Sequence, residues 1–518
     1  MGMLEDLTNE LMKDSQVFHG MDLGTYSSLW AYKRKGGSAK TVDYSGNNRG
    51  GIPSLFWRSP SGIEYVADEV LANNGLVEDP MGVCSSVKMK LKEKSIHLHD
   101  TDYSPQEILK RIIKHIIDVS TSDLQKELVD ISFDGLIVGV PALFTAAEKG
   151  TILSALEEVT GCKKIRLVPE PILAAISCNI HSSTKTKPTL IYDLGAGTFD
   201  VCVLLPNPNQ SIKNPYPFLV KEPNGLLIAG DVFDERMLNL IISKLEQNPY
   251  SLNLNNLRNV NHADYRLLRI SAREIKEALS NQDSVKKSIV DSGLGMGIVV
   301  VEKAEYEGVL RSDIQKTVDL AYDTLMKCNL GAKPDIDIIL VGGSSNIPLV
   351  RKMIEQRFDW IDPNCIVQRL PEKAVALGAA IFAELPSVVD NTPVPFAYAV
   401  DTFASHLNRD MLRVIIPKGA QLPITTETTY SPLHDNQEAL RFNIYEVYSS
   451  DEKDYFELNE GTKTKYSFTH RFGKKVSDKT EVELSATLTA DGVLEVTTND
   501  FGVSNNSIQK KRIEFEEQ

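Results

Sequence analysis

From His19 to about Pro386, short unbroken apolar runs alternate with stretches of helical periodicity, the pattern of a layered α/β fold whose strands are covered on both faces. GLIVGV (135–140), TLIYDLG (189–195) and DIDIILVGG (335–343) are too short for helices and too apolar for half-exposed strands, so they predict buried ones. PQEILKRIIKHIIDV (105–119) repeats Ile108, Ile112, Ile116 and Val119 along one helical face, and LLRISAREIKEALS (267–280) keeps the same period. Beyond Pro386 the texture changes. Pro386, Pro393 and Pro395 punctuate the chain, and alternating runs such as RFNIYEVY (441–448) and EVELSATL (481–488) replace helical ones. A run ending at Thr489 and VLEVTT (493–498) flank Ala490, Asp491 and Gly492, a hairpin loop. The pattern predicts an N-terminal extension over 1–18, an α/β domain over 19–386, a linker over 387–393 and an all-β domain over 394–518.

A single repeat stands out within the α/β domain. MDLGTYSSLWAY (21–32) and YDLGAGTFDVCVL (192–204) share Asp-Leu-Gly, a turn of small residues and a returning apolar strand, which predicts two related halves facing each other. A length of 518 residues suits two or three domains of this kind. The formal net charge of −14 argues against nucleic acid or anionic membrane as partner, since both are negative. Six cysteines without a CxxC pair argue against a zinc site and for a reducing compartment. The first twenty residues carry acids where a secretory signal needs a basic start, and no apolar run is long enough to cross a bilayer, so the cytoplasm is expected. Leu4, Leu7 and Leu11 fall at helical spacing, which predicts a short surface helix.

The chemistry concentrates in the repeated turns. In IYDLGAGTFDV a buried strand delivers Asp193 to its end, and Gly195, Ala196 and Gly197 form a turn whose backbone N–H groups suit phosphate oxygens, with the Thr198 hydroxyl beside them. Asp22 would face Asp193 across those phosphates. Two close carboxylates beside a polyphosphate call for a hard cation, and oxygen ligands favour magnesium, held partly through water. AGDVFDERM sets Ala229 and Gly230 before a helix, and VGGSSNIPLV sets Gly342, Gly343 and Ser344 between a strand and a helix; both helix starts suit an anion or a ribose.

DLGTYSS, VGVPALF, LVPEPILAAIS, YDLGAGTFDV, AGDVFDERM, VGGSSNIPLV and EKAVALGAAIFA resemble, in order, the motifs of the DnaK-type 70-kDa heat-shock chaperones. The resemblance runs from about residue 19 to 515 and includes HDNQ (434–437) and the ADGVLEV hairpin of the β region. It implies an actin-like (ribonuclease H-like) two-lobed ATPase domain followed by an all-β sandwich. It also implies ATP/ADP with magnesium and potassium, and ATP-controlled binding of unfolded or extended hydrophobic polypeptide by a monomer. By resemblance, Lys88 orients the attacking water and γ-phosphate, Glu170 organises the water shell of the metal, and Thr198 lies near the γ-phosphate. Asp22, Asp193 and Asp200 fall on cation positions. Gly24, Thr25, Tyr26, Gly195, Ala196, Gly197, Gly230, Lys276, Ser280, Gly342, Gly343, Ser344 and Glu372 fall on nucleotide positions. Leu440 and Phe442 align with the peptide pocket, where core packing is the equal alternative. Pro141 and Lys149 match a proline switch and its sensor, and Arg166 and Asp390 match contact sites for a J-domain co-chaperone; a nucleotide exchange factor is a further implied partner.

The chain departs from that pattern at the adenosine end. Asn346 replaces a stacking arginine, Arg273 replaces a glutamate near the ribose, Glu372 replaces an aspartate, and Tyr26 replaces a second threonine after DLGT. Loss of a stacking contact predicts ATP binding weaker by about 1 kcal/mol and fast exchange. No helical lid is read after the sandwich. These departures motivate an alternative, an ATP-binding but poorly hydrolysing scaffold or exchange-factor-like partner of another chaperone.

Overall fold

The computed structural model describes residues 16–42, 44, 51–127, 129, 131–178, 187–206, 218–247, 252–369, 372–384, 394, 396–405, 407–420, 423–447, 453–489 and 493–512. The expected linker with Asp390, the Leu4–Leu7–Leu11 helix and the loop 490–492 lie outside them.

Two sheets of the α/β domain share one topology. The first is built from β1 (Val17–Asp22), β2 (Ser27–Arg34), β3 (Ala39–Thr41), β4 (Ile137–Val140) and β5 (Arg166–Pro169), in the order β5-β4-β1-β2-β3, with a sixth, two-residue strand at Ile52–Pro53 pairing the start of β2 off that path. β1, β2 and β3 form an antiparallel meander, while β4 and β5 add in parallel on the other side. The second comprises β6 (Thr189–Leu194), β7 (Phe199–Pro206), β8 (Phe218–Leu226), β9 (Asp337–Val341) and β10 (Ile366–Gln368), in the order β8-β7-β6-β9-β10, with the same directions. The repeat read as Asp-Leu-Gly therefore extends to whole sheets. Asp22 ends β1 and Asp193 stands one residue from the end of β6, each strand lying between an antiparallel and a parallel neighbour.

Helices pack where the apolar periodicity points. α1 (Pro105–Lys126) buries Ile108, Ile112 and Ile116 and starts in a Ser104/Glu107 capping box that satisfies two end N–H groups. α2 (Ala146–Thr160) starts the same way with Thr145 and Glu148. α3 (Glu170–Ser177), α4 (Gly230–Gln247), α5 (Ala263–Leu279), α6 (Lys303–Lys327) and α7 (Ala374–Ala383) follow. α3 and α7 join the two halves: Leu173, Ala174, Ala175, Ala379 and Phe382 share one apolar cluster with Ile137 of the first sheet and Ile191, Ile339 and Val341 of the second. Small residues make that approach possible. A Cβ at Gly378 would lie 1.8 Å from Leu173 O, and one at Gly20 would lie 2.2 Å from Ala380 N.

Among the described residues past 394 the regular elements are strands, apart from one short turn of helix. β11 (Ala397–Ala404), β12 (Arg409–Ile416), β14 (Gln437–Val447), β15 (Tyr455–Phe456) and β16 (Gly461–Val476) form one sheet; β13 (Ile424–Tyr430), β17 (Val482–Leu488), β18 (Leu494–Asn499) and β19 (Ile508–Arg512) form the other. Val400, Ile416, Ile444 and Phe468 of the first meet Leu484, Ala486, Leu494 and Val496 of the second in one core, so the two sheets are a sandwich. Ala147 of α2 belongs to that same cluster, and Val493 packs into the core of the first half. The sandwich thus rests on α2.

Candidate functional site

The two repeated turns meet. A Cβ placed on Gly197 would lie 2.9 Å from Thr25 Oγ1 and 2.6 Å from Met89 Sδ, so Thr25 of the turn after β1 lies against the turn after β6, and a side chain there would have to displace the Thr25 and Met89 side chains. Gly24 is closed in by Ser27 O in the same way. Asp193 stands opposite Asp200 across the β6–β7 pair, and Ala142, just past β4, donates its N–H to Asp200 Oδ1 at 2.8 Å.

Lys88 enters from the short helix Val87–Lys90 and is only 3% exposed, with Nζ 2.5 Å from Oε1 of Glu170, the first residue of α3. That is one buried ammonium amid four carboxylates. Burial, then Glu170, push Asp22 and Asp200 up to about 7, against a partial pull from Lys88 and, for Asp200, from hydrogen bonds of Thr198 and Ala142. Burial, with Glu170, Asp200 and Asp22 adding to it, drives Asp193 well above the carboxylate range. The charge deficit is a property of the donor set, and it is the kind that a bound cation removes. Among the described residues no three His, Cys, Asp or Glu side chains converge closely enough to hold a metal directly.

The flanking loops brace the turn instead of lying open. Gly230 and Asp231 at the start of α4 donate their N–H groups to Gly195 O (3.1 Å) and Ala196 O (2.7 Å), and Ser344 Oγ donates to Gly195 O at 2.7 Å. The free helix-start donors expected at Gly230 are therefore spent on the turn, because its carbonyls point at them. Gly342 has φ +81°, and a Cβ there would meet Leu194 O at 2.3 Å and Asp193 Oδ1 at 2.6 Å, so glycine is required. Gly343 is exposed at the start of a short helix.

At the other end, Lys276 Nζ pairs with Asp234 Oδ1 at 2.6 Å, and Ser280, the cap of α5, lines a shallow depression with Leu279, Tyr306, Ile347 and Pro348. Asn346 is exposed and accepts at Oδ1 from Gln368 Nε2 at 2.7 Å; Glu372 is exposed ahead of α7. Along the sequence Tyr26 and Arg273 read as separate departures. The fold brings them together, with the guanidinium carbon 4.6 Å from the ring centroid. Their separation along the chain hid the pair.

Pro141 is buried between β4 and α2, Lys149 is buried on α2, and Arg166 on β5 has its guanidinium 5.9 Å from the Phe382 ring. In the sandwich Phe442 is buried in the core with its ring 5.1 Å from Tyr430, and Leu440 is half-buried beside it.

A family model described as Hsp70 protein matches residues 76–517. Three curated proteins with similar sequences are described as chaperone protein HscA homologs. The one from Shewanella loihica (strain ATCC BAA-1088 / PV-4) is 27% identical, covering 82% of this chain and 68% of that protein. Those from Shewanella sp. (strain MR-4) and Shewanella frigidimarina (strain NCIMB 400) are 26% and 27% identical, each covering 95% of this chain and 78% of the relative. No helix among the described residues is long and apolar enough to cross a membrane.

Proposed function

This chain belongs to the Hsp70 family of ATP-dependent chaperones, whose members are ATPases, and we propose that it hydrolyses ATP between its two α/β halves. The halves would act as the lobes of an actin-like domain, and hydrolysis would control the grip of the sandwich on extended apolar polypeptide. The observation that carries this reading is the buried Lys88–Glu170 pair set among Asp22, Asp193 and Asp200 where the two repeated turns meet.

A hydrated magnesium ion fits that set. Asp22, Asp193 and Asp200 would hold its water shell, which needs acceptors but no tight cage of direct ligands. When bound, the ion supplies neutralisation of phosphate charge. The chain's own residues do the positioning that dominates phosphoryl transfer. Glu170 holds the Lys88 ammonium in place, and Lys88 would orient the attacking water against the terminal phosphate. Thr198 would add a hydroxyl donor at that phosphate. Gly195 donates its own N–H to Thr198 O at 3.0 Å and closes the turn, and the small residues Ala196 and Gly197 would let backbone N–H groups approach the phosphates.

A physical route supports coupling to the sandwich. Asp200 holds the Ala142 N–H, Ala142 leads from Pro141 into α2, and Ala147 of α2 packs with Val394, Phe396 and Tyr398 at the start of the sandwich. A change in charge at Asp200 would thus be felt two short steps from the sandwich. A J-domain partner would engage near Arg166.

ATP turnover measured with and without an extended apolar peptide tests the coupling. Turnover that rises several-fold with peptide is expected. A second reading, the scaffold that binds ATP and hardly hydrolyses it, is favoured by Asn346, whose amide is engaged with Gln368 and offers adenine no stacking cation. ATP binding accompanied by almost no turnover, with or without peptide, would select that second reading.

A further inference from the structure

We propose that Tyr26 and Arg273 form a clasp across the mouth of the cleft that must open for nucleotide to leave. The proposal rests on the nucleotide reading of the cleft. Tyr26 lies in the turn between β1 and β2, its backbone fixed by the Ser54 N–H donating to Tyr26 O at 2.9 Å. Tyr26 is 48% exposed and is not part of the buried core of the first half. The Arg273 guanidinium covers that ring from the second half, 4.6 Å from its centroid.

Arg273 is not a loose cation that happens to touch a ring. Its Nε lies 2.6 Å from Asp234 Oδ2 and its Nη2 lies 2.9 Å from Asp231 Oδ1, both on α4. Asp234 is fully buried and also takes Lys276, so the guanidinium is pinned to the second half on one side and presents its planar face to Tyr26 on the other. Moving the halves apart separates ring from cation without loosening either anchor. The contact therefore exists only in the closed arrangement and adds its whole energy to that state.

Its position is what gives it consequence. Tyr26 adjoins Thr25, which faces Gly197 across the two turns. On the same rim Ser86 Oγ donates to Asp231 Oδ2 at 3.3 Å, and seven residues before Arg273, on the same face of α5, Arg266 Nη1 donates to Pro80 O at 2.8 Å. α5 and the start of α4 thus form a rim that touches the first half at three places, and the clasp is the one next to the turns. Neither a threonine at 26 nor a glutamate at 273 can make this contact. The two departures, each of which alone reads as a lost nucleotide contact, replace one another's loss with a bond between the halves. Nucleotide release is then slower than the departures taken singly predict.

The test is release of prebound radiolabelled ADP, chased with excess unlabelled ADP, from the wild type, Tyr26→Thr, Arg273→Gln, the double variant and Tyr26→Phe. Thermal melting of each variant separates the clasp from a folding defect. Tyr26→Thr and Arg273→Gln are expected to release ADP roughly three- to tenfold faster. The double variant should be no faster than the faster single one, and Tyr26→Phe, which keeps the ring face, should restore slow release. Unchanged or slower release from Tyr26→Thr, in a protein that binds ADP and melts normally, overturns the clasp alone. So does a double variant in which the two effects multiply. Absence of ADP binding by the wild type in equilibrium dialysis would instead remove the nucleotide reading and the clasp with it.

Discussion

Replacing Asp200 with Asn should make the metal-free protein more stable while destroying its chemistry. Asp200 is 2% exposed and its carboxyl is pushed from 3.8 up to about 7, by burial first and by the charge on Glu170 next. A carboxyl whose folded value is raised favours the folded state only where it is protonated. Stability is therefore greatest at low pH, declines as pH rises from the unfolded value near 4, and levels off once pH passes the folded value near 7. At about 1.4 kcal/mol per pH unit, this ionisation costs roughly 4 kcal/mol above pH 7 and roughly 1.5 kcal/mol at pH 5. Asn keeps an acceptor for the Ala142 N–H and never ionises, so the variant escapes that cost. Urea denaturation in the presence of a chelator, at pH 5 and pH 8, measures both values. The variant should exceed wild type by about 2–4 kcal/mol at pH 8 and by distinctly less at pH 5, and magnesium should narrow the gap at pH 8. A variant that is less stable than wild type at pH 8, or a gap independent of pH, refutes the argument that this site is short of positive charge.

Two further outcomes follow from the sandwich. Phe442→Ala removes a ring that is 3% exposed and packs on Tyr430, so it should cost about 3–5 kcal/mol of stability; fluorescence-monitored unfolding checks this, and loss of peptide affinity without loss of stability would make Phe442 a pocket residue instead. Burial would raise the Asp500 carboxyl, but hydrogen bonds from Ser504 and the His470 ring 3.1 Å away bring it below its ordinary value. Its contribution to stability is present above pH 4 and lost as pH falls through the lowered folded value. An acid unfolding titration should therefore show Asp500→Asn less stable at neutral pH and equal to wild type at the acid end.

Much of the architecture was legible because it depends on local pattern. The apolar runs at 135–140, 189–195 and 335–343 are β4, β6 and β9, and the periodicity of 105–119 is the buried face of α1. The repeat of Asp-Leu-Gly announced two sheets of equal topology, since a strand ending in a carboxylate and a glycine turn imposes the same local geometry twice. What escaped depends on distance in the chain. The Lys88–Glu170 pair spans 82 residues, and motif resemblance alone placed its members in one site. Nothing local distinguishes Arg273 facing Tyr26 from Arg273 facing a ribose, and only the packing of α5 against the first half decides it. The Gly230 loop misled in another way. A glycine before a helix looks the same whether its N–H groups await a phosphate or, as here, hold the carbonyls of Gly195 and Ala196.

The central claim is that ATP is hydrolysed at the meeting of the two turns, with Lys88 and Asp193 at its centre. Steady-state ATP turnover by wild type, Lys88→Ala and Asp193→Ala, with ADP binding confirmed for each, tests it most directly. Measurable wild-type turnover that falls by on the order of a hundredfold or more in both variants is the predicted result. Equal turnover in all three proteins would contradict it.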